Sequence, residues 1–200
     1  MKTTAMMMTK PRIKTKPGPN AARLGLSIEV SIPCANWRST VTDAEALCRA
    51  AAAAAFASGL DDGASLSGPV EASIMLANDD IMRGLNRDYR GIDDATNVLS
   101  FANLDANGPP LAGVPLLLGD IVVAFETAAA EAAAARKDLS HHLSRLVVHG
   151  MLHLLRYDHQ HDVDAERMED LEAIALADLG VVDSYAADDE AGADKDNDQR

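Results

Sequence analysis

Residues 143–155 read LSRLVVHGMLHLL, and the chain continues as RYDHQH to residue 161. Apolar residues recur here every three or four positions, which predicts a helix with one face in the protein core. His149 and His153 are four residues apart, so they lie one above the other on one helix face, about 6 Å apart along the axis. The stretch therefore predicts a buried helix that carries two neighbouring imidazoles.

The segments around this helix predict the rest of the fold. Alternating apolar residues indicate strands at 24–32, 70–76, 96–103 and 116–124. TDAE at 42–45 has the form of a capping box and begins an alanine-rich helix that runs to Gly59. Asn78 or Asp79 begins a second helix, and further helices are expected at 125–136, 139–155 and 163–179, the last ended by Gly180. We predict an α+β fold, a small mixed four-stranded sheet covered by about five helices in a single domain.

Charge and composition limit the kind of protein. The formal net charge is -13, and without the six positive charges of residues 1–23 and the net five negative charges of residues 183–200, residues 24–182 carry about -14. Such a body is not expected to bind nucleic acid indiscriminately, and a polyanion would have to meet a local basic cleft. We expect a basic disordered extension at 1–23, a globular domain at 24–182 and an acidic disordered tail at 183–200. We find no secretory leader or membrane-spanning run, so a cytoplasmic protein is expected.

The histidines predict a metal site. If the chain turns back after residue 155, His159 can join His149 and His153 in an H-x3-H-x5-H pattern. Three imidazoles leave one tetrahedral position of zinc open, which is typical of catalytic sites. The alternative is a polar helix end that collects histidines, but it explains poorly the two that lie inside an apolar run. His161 is a possible substitute for the third ligand, whereas His141 and His142, near a helix start, are expected to be solvated.

The spacing of the first two histidines is also that of the metzincin proteases. There, a glutamate follows the first histidine and acts as the general base. Here that position is Gly150. A protease of this type would lack its base, and the spacing alone does not favour one.

HGMLHLLRYDH, residues 149–159, resembles the H-G-x-L-H-L-x-G-Y-D-H signature of the YbeY family of bacterial metal-dependent endoribonucleases that take part in rRNA maturation. LNRDYRGIDDATNVLSF, residues 85–101, resembles a second motif of that family, and LGDIVV at 118–123 resembles its L-G-D-I-x-I strand. The resemblance implies that His149, His153 and His159 bind one zinc ion and that Arg90 is a functional residue in the cleft. It also implies a metal-dependent endoribonuclease domain at 24–182 that trims rRNA ends, notably the 3′ end of 16S rRNA, and supports ribosome quality control.

Two residues depart from the family pattern. Arg156 stands where the family has glycine, at the turn that would return His159 to the metal; if the backbone there needs a positive φ, a side chain costs on the order of 1 kcal/mol. Asn97 replaces the aspartate of T-D-V-L-S-F, which keeps a hydrogen bond but loses a charge. At Arg156 the change is expected to loosen the site or shift His159, and at Asn97 to weaken the activity without loss of function.

Other roles are assigned by chemistry. Arg90 suits a phosphate because its guanidinium binds in a fork; the alternative is an ion pair with Asp88 or Asp93. Asp158 is the candidate for proton transfer, although it and Asp120 could instead orient an imidazole. Ser100 and Asn97 could line the cleft. Whether the nucleophile is a water or the ribose 2′-hydroxyl is left open by the sequence.

The leading hypothesis is a zinc-dependent endoribonuclease that prefers single strands and has rRNA and ribosomal subunits or proteins as partners, with no membrane and no organic cofactor. A ribosome-assembly factor with a structural metal is a second hypothesis, favoured by the negative charge of the body. A metal hydrolase of another substrate, such as a peptide, is a third.

Overall fold

The computed structural model describes residues 25–63, 66, 68–103, 114–158 and 162–181, with the side chain of Asp162 left out. The predicted extension at 1–23 and the predicted tail at 183–200 lie outside these residues. So does His159, the predicted third ligand. The described residues cover most of the body predicted at 24–182.

A mixed sheet of four strands forms the centre of the fold. The strands are β1 (Leu26–Ser31), β2 (Val70–Ala77), β3 (Val98–Ala102) and β4 (Leu116–Ala124), in the order β1-β2-β4-β3. β1, β2 and β4 are parallel, whereas β3 pairs antiparallel to β4 at one edge. All four predicted strands are present, and the predicted mixed sheet is confirmed.

Six helices surround this sheet in the described residues. They are α1 (Ala35–Thr40), α2 (Ala44–Asp61), α3 (Asp79–Arg90), α4 (Phe125–Ala134), α5 (Leu139–Leu154) and α6 (Asp162–Asp178). Five of them match predicted helices. The single α+β domain is therefore confirmed, with one short helix, α1, that the sequence did not predict.

The ends of the helices show which local signals were correct. Asn78 caps α3, since its side chain accepts a hydrogen bond from the amide of Ile81 at 3.0 Å, as predicted. The capping box at Thr42 was wrong: α2 begins one residue later than expected, after Asp43, whose φ of 53° places it in the left-handed region with no capping hydrogen bond from its side chain. A side chain held in that backbone conformation does not reach the first-turn amides.

Two cores lie on the two faces of the sheet. On one face, α5 packs against β3 and β4, α2 packs against β1, and α6 packs on α2 and α5, in a large apolar cluster that includes the buried alanines of α2. On the other face, α3 covers a small cluster around Met82, Leu99 and Val122. The helix with the histidines thus lies in the larger core, next to the edge strand β3.

Gly150 brings α5 close to the sheet. A Cβ at this position would lie 2.9 Å from Ile121 Cγ2 and 3.0 Å from Ser100 Oγ. The histidine face of α5 therefore approaches β3 as closely as the backbone allows. Within the described segments, no helix combines the length and hydrophobicity that a membrane crossing requires.

Candidate metal centre

α5 brings the side chains of His149 and His153 together. Their Nε2 atoms are 3.0 Å apart, and their rings are nearly perpendicular with centroids separated by 4.5 Å. Two ligands at about 2.0–2.1 Å from a tetrahedral zinc ion would be about 3.3 Å apart. The pair is thus close to the separation that one metal ion needs.

The other ring nitrogens are held by acceptors. His153 Nδ1 lies 3.0 Å from the backbone oxygen of Tyr157; a carbonyl only accepts, so this nitrogen must donate. His149 Nδ1 lies 2.6 Å from Oε1 of Glu172, a residue on α6 that is 8% exposed. When an imidazole is neutral, a proton on Nδ1 leaves the lone pair on Nε2, the nitrogen that each of these rings turns towards the other. The donor set fits a divalent metal ion that binds imidazole.

Tyr157 is fixed on the neighbouring helices. Its hydroxyl donates to the backbone oxygen of Gly59 at 2.8 Å, and the guanidinium carbon of Arg167 lies 5.5 Å from its ring centroid. These contacts fix the carbonyl that accepts from His153. The orientation of the second histidine therefore depends on α2 and α6 as well as on α5.

The chain turns where the predicted site requires it. α5 ends at Leu154, and Arg156 has a φ of 77°, in the left-handed region. The amide of Tyr157 then donates to the oxygen of Leu152 at 3.1 Å, which closes the turn. The predicted bend after residue 155 is confirmed, and so is the positive φ at the residue that replaces glycine.

The third predicted ligand lies outside the described residues. Among those that are described, no three histidine, cysteine, aspartate or glutamate side chains are close enough to hold a metal ion. The structure thus describes two of the three predicted nitrogen donors, and the participation of His159 stays a prediction.

A cleft of about 560 Å³ opens beside the two histidines. It lies between β3, α5 and the turn after α5, with the end of α3 at its rim. Its lining includes the described residues predicted for the site: Arg90, Asn97, Ser100, His149, His153 and Asp158. Residues from two motifs that are far apart in sequence, 85–101 and 149–159, therefore meet at one cavity, although their roles in the reaction stay predictions.

Arg90 does not form the ion pair that was its alternative role. Asp93 binds Arg83 through Nε at 2.8 Å, and Asp88 pairs with Arg87 at 3.2 Å. The bidentate contact with Arg83 holds the pKa of Asp93 below its usual value. Within the described residues Arg90 has no carboxylate partner, and it is exposed at the rim of the cleft. An arginine in this position is available to an anionic ligand.

Two neighbouring residues have partners that the sequence did not predict. Asp120, for which a strand end or a histidine was considered as partner, accepts a hydrogen bond from Ser73 on the neighbouring strand β2 and contacts no histidine among the described residues. His142 is not solvated: its side chain is 14% exposed, and its Nε2 lies 2.8 Å from Oε2 of Glu131 on α4. This contact joins α4 to α5. The position of His142 near a helix start therefore did not predict its surroundings.

Asn97 joins that same contact. Its Nδ2 donates to both carboxylate oxygens of Glu131 at 2.9 Å and 3.1 Å, while its Oδ1 accepts from the amide of Val98 at 2.7 Å. Asn97 and His142 also line a second cavity of about 320 Å³, on the other side of His149. The amide in place of the family's aspartate is therefore matched by a carboxylate on α4.

Sequence reasoning missed Glu172 altogether. One signal could have found it, because Met168, Leu171, Glu172, Ala175 and Leu179 share the helical spacing of a buried face. A carboxylate in such a row is costly unless it is paired. The row therefore predicts a cationic or hydrogen-bonding partner for Glu172, but not which one.

Comparison with known proteins identifies the family of this chain. The family model described as Endoribonuclease YbeY matches residues 36–180. A protein named Endoribonuclease YbeY from Paramagnetospirillum magneticum is 54% identical over 162 residues, which cover 80% of this chain and 96% of that one. Proteins of the same name from Bradyrhizobium diazoefficiens and Rhodospirillum rubrum are 44% and 46% identical, over 88% and 75% of this chain and 91% and 76% of theirs. The chain belongs to the YbeY family of endoribonucleases.

Proposed function

We propose that this chain is a zinc-dependent endoribonuclease that prefers single-stranded RNA, with rRNA, notably the 3′ end of 16S rRNA, as its substrate and ribosome quality control as its wider role. The observation that carries the proposal is the convergence of the His149 and His153 Nε2 atoms, 3.0 Å apart, at a cleft that Arg90 also lines. The family to which the chain belongs supports the endoribonuclease part. Ribosomal subunits in the cytoplasm are the proposed partners.

His149 and His153, with His159 as the predicted third donor, would hold the zinc ion. When bound, zinc supplies a Lewis acid next to the phosphate and an open position for an oxygen ligand. The Nε2 lone pairs of both described histidines would be free to bind the zinc ion, because the Nδ1 atoms donate to Glu172 and to the carbonyl of Tyr157. The two imidazoles thus keep the tautomer that metal binding requires.

Arg90 would bind the scissile phosphate. Its guanidinium offers two parallel N–H donors, a geometry that suits two phosphate oxygens, and charge that develops on those oxygens strengthens the contact. Asp158 lines the same cleft and is the proposed group that moves a proton, either from the attacking oxygen or to the leaving one. With the ribose 2′-hydroxyl as nucleophile, the products would carry a cyclic phosphate, and with water they would not.

The test uses the full chain, stripped of metal with a chelator and reloaded with one equivalent of zinc. We expect cleavage of a labelled single-stranded RNA that depends on zinc and is lost in His153→Ala. Arg90→Ala should lower kcat/KM by about tenfold or more, because a charged hydrogen bond to the phosphate is lost. Arg87→Ala is the matched control, since Arg87 lies on the same helix but pairs with Asp88 away from the cleft. Cleavage by His153→Ala equal to that of the unsubstituted chain would refute the proposal.

The negative charge of the body favours the second hypothesis, an assembly factor that binds ribosomal proteins. Zinc would then be structural. Two results together would support this second hypothesis: the unsubstituted chain cleaves no RNA, and the His153→Ala variant still binds ribosomal subunits. A metal-dependent turnover of peptides would decide for the third hypothesis.

A further inference from the structure

The buried carboxylate of Glu172 is the most unusual charged group in the described residues. Glu172 is 8% exposed and lies within the apolar face that α6 turns towards α2 and α5. A carboxylate in such surroundings is unfavourable unless a strong partner offsets the loss of hydration. Its partner is Nδ1 of His149, at 2.6 Å, on a helix 23 residues earlier in the chain.

This contact acts on the nitrogen at the opposite side of the ring. An acceptor on Nδ1 keeps a proton there, directs the Nε2 lone pair towards His153, and prevents the ring from turning about its χ2 bond. A negative charge on the acceptor also makes the imidazole a better donor to a cation. The backbone carbonyl of Tyr157 orients His153 in the same way but carries no full charge.

We propose that Glu172 is a positioning residue for the metal centre: its charge holds His149 in the metal-binding tautomer and raises the affinity of the site for zinc. The inference rests on the proposed function, because it presupposes that the two histidines bind zinc. It assigns to α6, which follows all the family motifs quoted above, a direct part in building the site.

The helix offers a matched control. Glu169 precedes Glu172 by almost one helical turn and lines the same cavity of about 320 Å³. It is exposed, and among the described residues it forms no hydrogen bond or ion pair with His149 or His153. Glu169→Gln removes the same charge from the same helix. A general effect of charge near the site would appear in both variants, whereas an effect of the contact with His149 appears only at Glu172.

The first test measures zinc affinity by competition with a chromophoric chelator, with the thermal midpoint recorded to show that each variant is folded. Glu172→Ala should raise the Kd for zinc by about 10- to 100-fold, as loss of such partners does elsewhere. Glu172→Gln keeps the size and the acceptor oxygen and should show a smaller increase, while Glu169→Gln should leave the Kd unchanged. In a His149→Ala background, Glu172→Gln should have no further effect. A folded Glu172→Ala or Glu172→Gln chain with the Kd of the unsubstituted chain would overturn the inference.

The second test needs no metal. Long-range ¹H–¹⁵N spectra of the metal-free chain should show a proton on His149 Nδ1, and Glu172→Ala should shift that ring towards the Nε2 tautomer. If the unsubstituted chain binds no zinc, the metal part of the proposed function fails. The part of the inference that concerns zinc affinity fails with it, and the spectrum decides the part that concerns the tautomer: an unchanged His149 tautomer in the variant refutes that part.

Discussion

Arg156 has a backbone conformation that suits glycine. Its φ of 77° is in the left-handed region, as is the φ of 53° at Arg136 after α4. In the folded state, a residue with a side chain is about 1–2 kcal/mol less favourable there than glycine. Glycine loses more conformational freedom on folding than other residues do, and this loss offsets about half of the difference. Arg156 nevertheless lines the cleft, where a cation can contact RNA.

Arg156→Gly and Arg136→Gly should each raise the free energy of unfolding by about 0.5–1 kcal/mol in urea denaturation, because both relieve the same strain. Only Arg156→Gly should weaken the binding of single-stranded RNA, measured by fluorescence anisotropy, and reduce its salt dependence. Equal RNA affinity in the two variants would show that Arg156 does not contact the substrate.

Gly150 is required by packing, since its φ is helical and its neighbours are close. A Cβ would lie 2.9 Å from Ile121 Cγ2, so Gly150→Ala should lower the free energy of unfolding by about 1–3 kcal/mol. Gly84, in α3, has no atom within 4 Å of such a Cβ, and Gly84→Ala should instead stabilise the protein by about 0.5–1 kcal/mol. Urea denaturation measures both, and a gain of stability in Gly150→Ala would contradict the close approach of α5 to the sheet.

The same packing explains why the metzincin base has no place here. A glutamate at position 150 would have to occupy space that is taken by β3 and β4. The sequence predicted the missing base from the residue type alone. Its physical reason came from Ile121 and Ser100, which are distant in the chain.

At the scale of elements, α4, α5 and the start of β3 meet at Glu131, which accepts from Asn97 and contacts His142. Asn97→Asp would replace the amide donor by a second carboxylate. Because Glu131 is partly exposed, we expect a loss of about 1 kcal/mol in the free energy of unfolding.

The double variant Asn97→Asp with Glu131→Gln should recover most of that loss, because it exchanges amide and carboxylate across the same contact. Urea denaturation of the two single variants and the double variant measures the coupling. A double variant no more stable than Asn97→Asp alone would show that the hydrogen bond between these two side chains does not set the stability.

Helix α1 is the one described helix that the sequence did not predict. It has six residues, too few for a periodic pattern. Its one buried side chain, Trp37, donates its Nε1 hydrogen to the oxygen of Ala77 at 3.0 Å and packs edge-on against Phe125. These partners lie on β2 and α4, so the helix depends on tertiary contacts that no local signal encodes.

At the scale of the whole molecule, Cys48 reports on the large core. It is fully buried in α2, and burial raises the pKa of its thiol to about 12. At pH 8 we expect iodoacetamide to label Cys48 only when the core opens, since the thiolate is the reactive form. Labelling should rise with urea in parallel with the loss of helical circular dichroism, with Cys34→Ala used to isolate the one thiol; rapid labelling of the native chain would contradict this.

The charge of the molecule also acts at this scale. A body of about -14 repels RNA overall, whereas Arg90 and Arg156 place two positive charges at the cleft. Positive charges at the cleft of a negative body favour a substrate strand that reaches the cleft without lying along the rest of the protein. This agrees with the proposed preference for single strands and ends.

The sequence by itself determined the strands and long helices, the placement of His149 and His153 on one helix face, and the turn at Arg156, because each depends on residues within a few positions of one another. The tertiary structure alone decided the strand order, the antiparallel edge strand beside the cleft, and the partners Glu172 and Glu131. These depend on contacts between segments that are far apart in the chain, and periodicity carries no information about which segments meet. The candidate site is therefore readable from the sequence as a set of predicted ligands, whereas Glu172, which contacts His149, appears only when α6 is packed against α5.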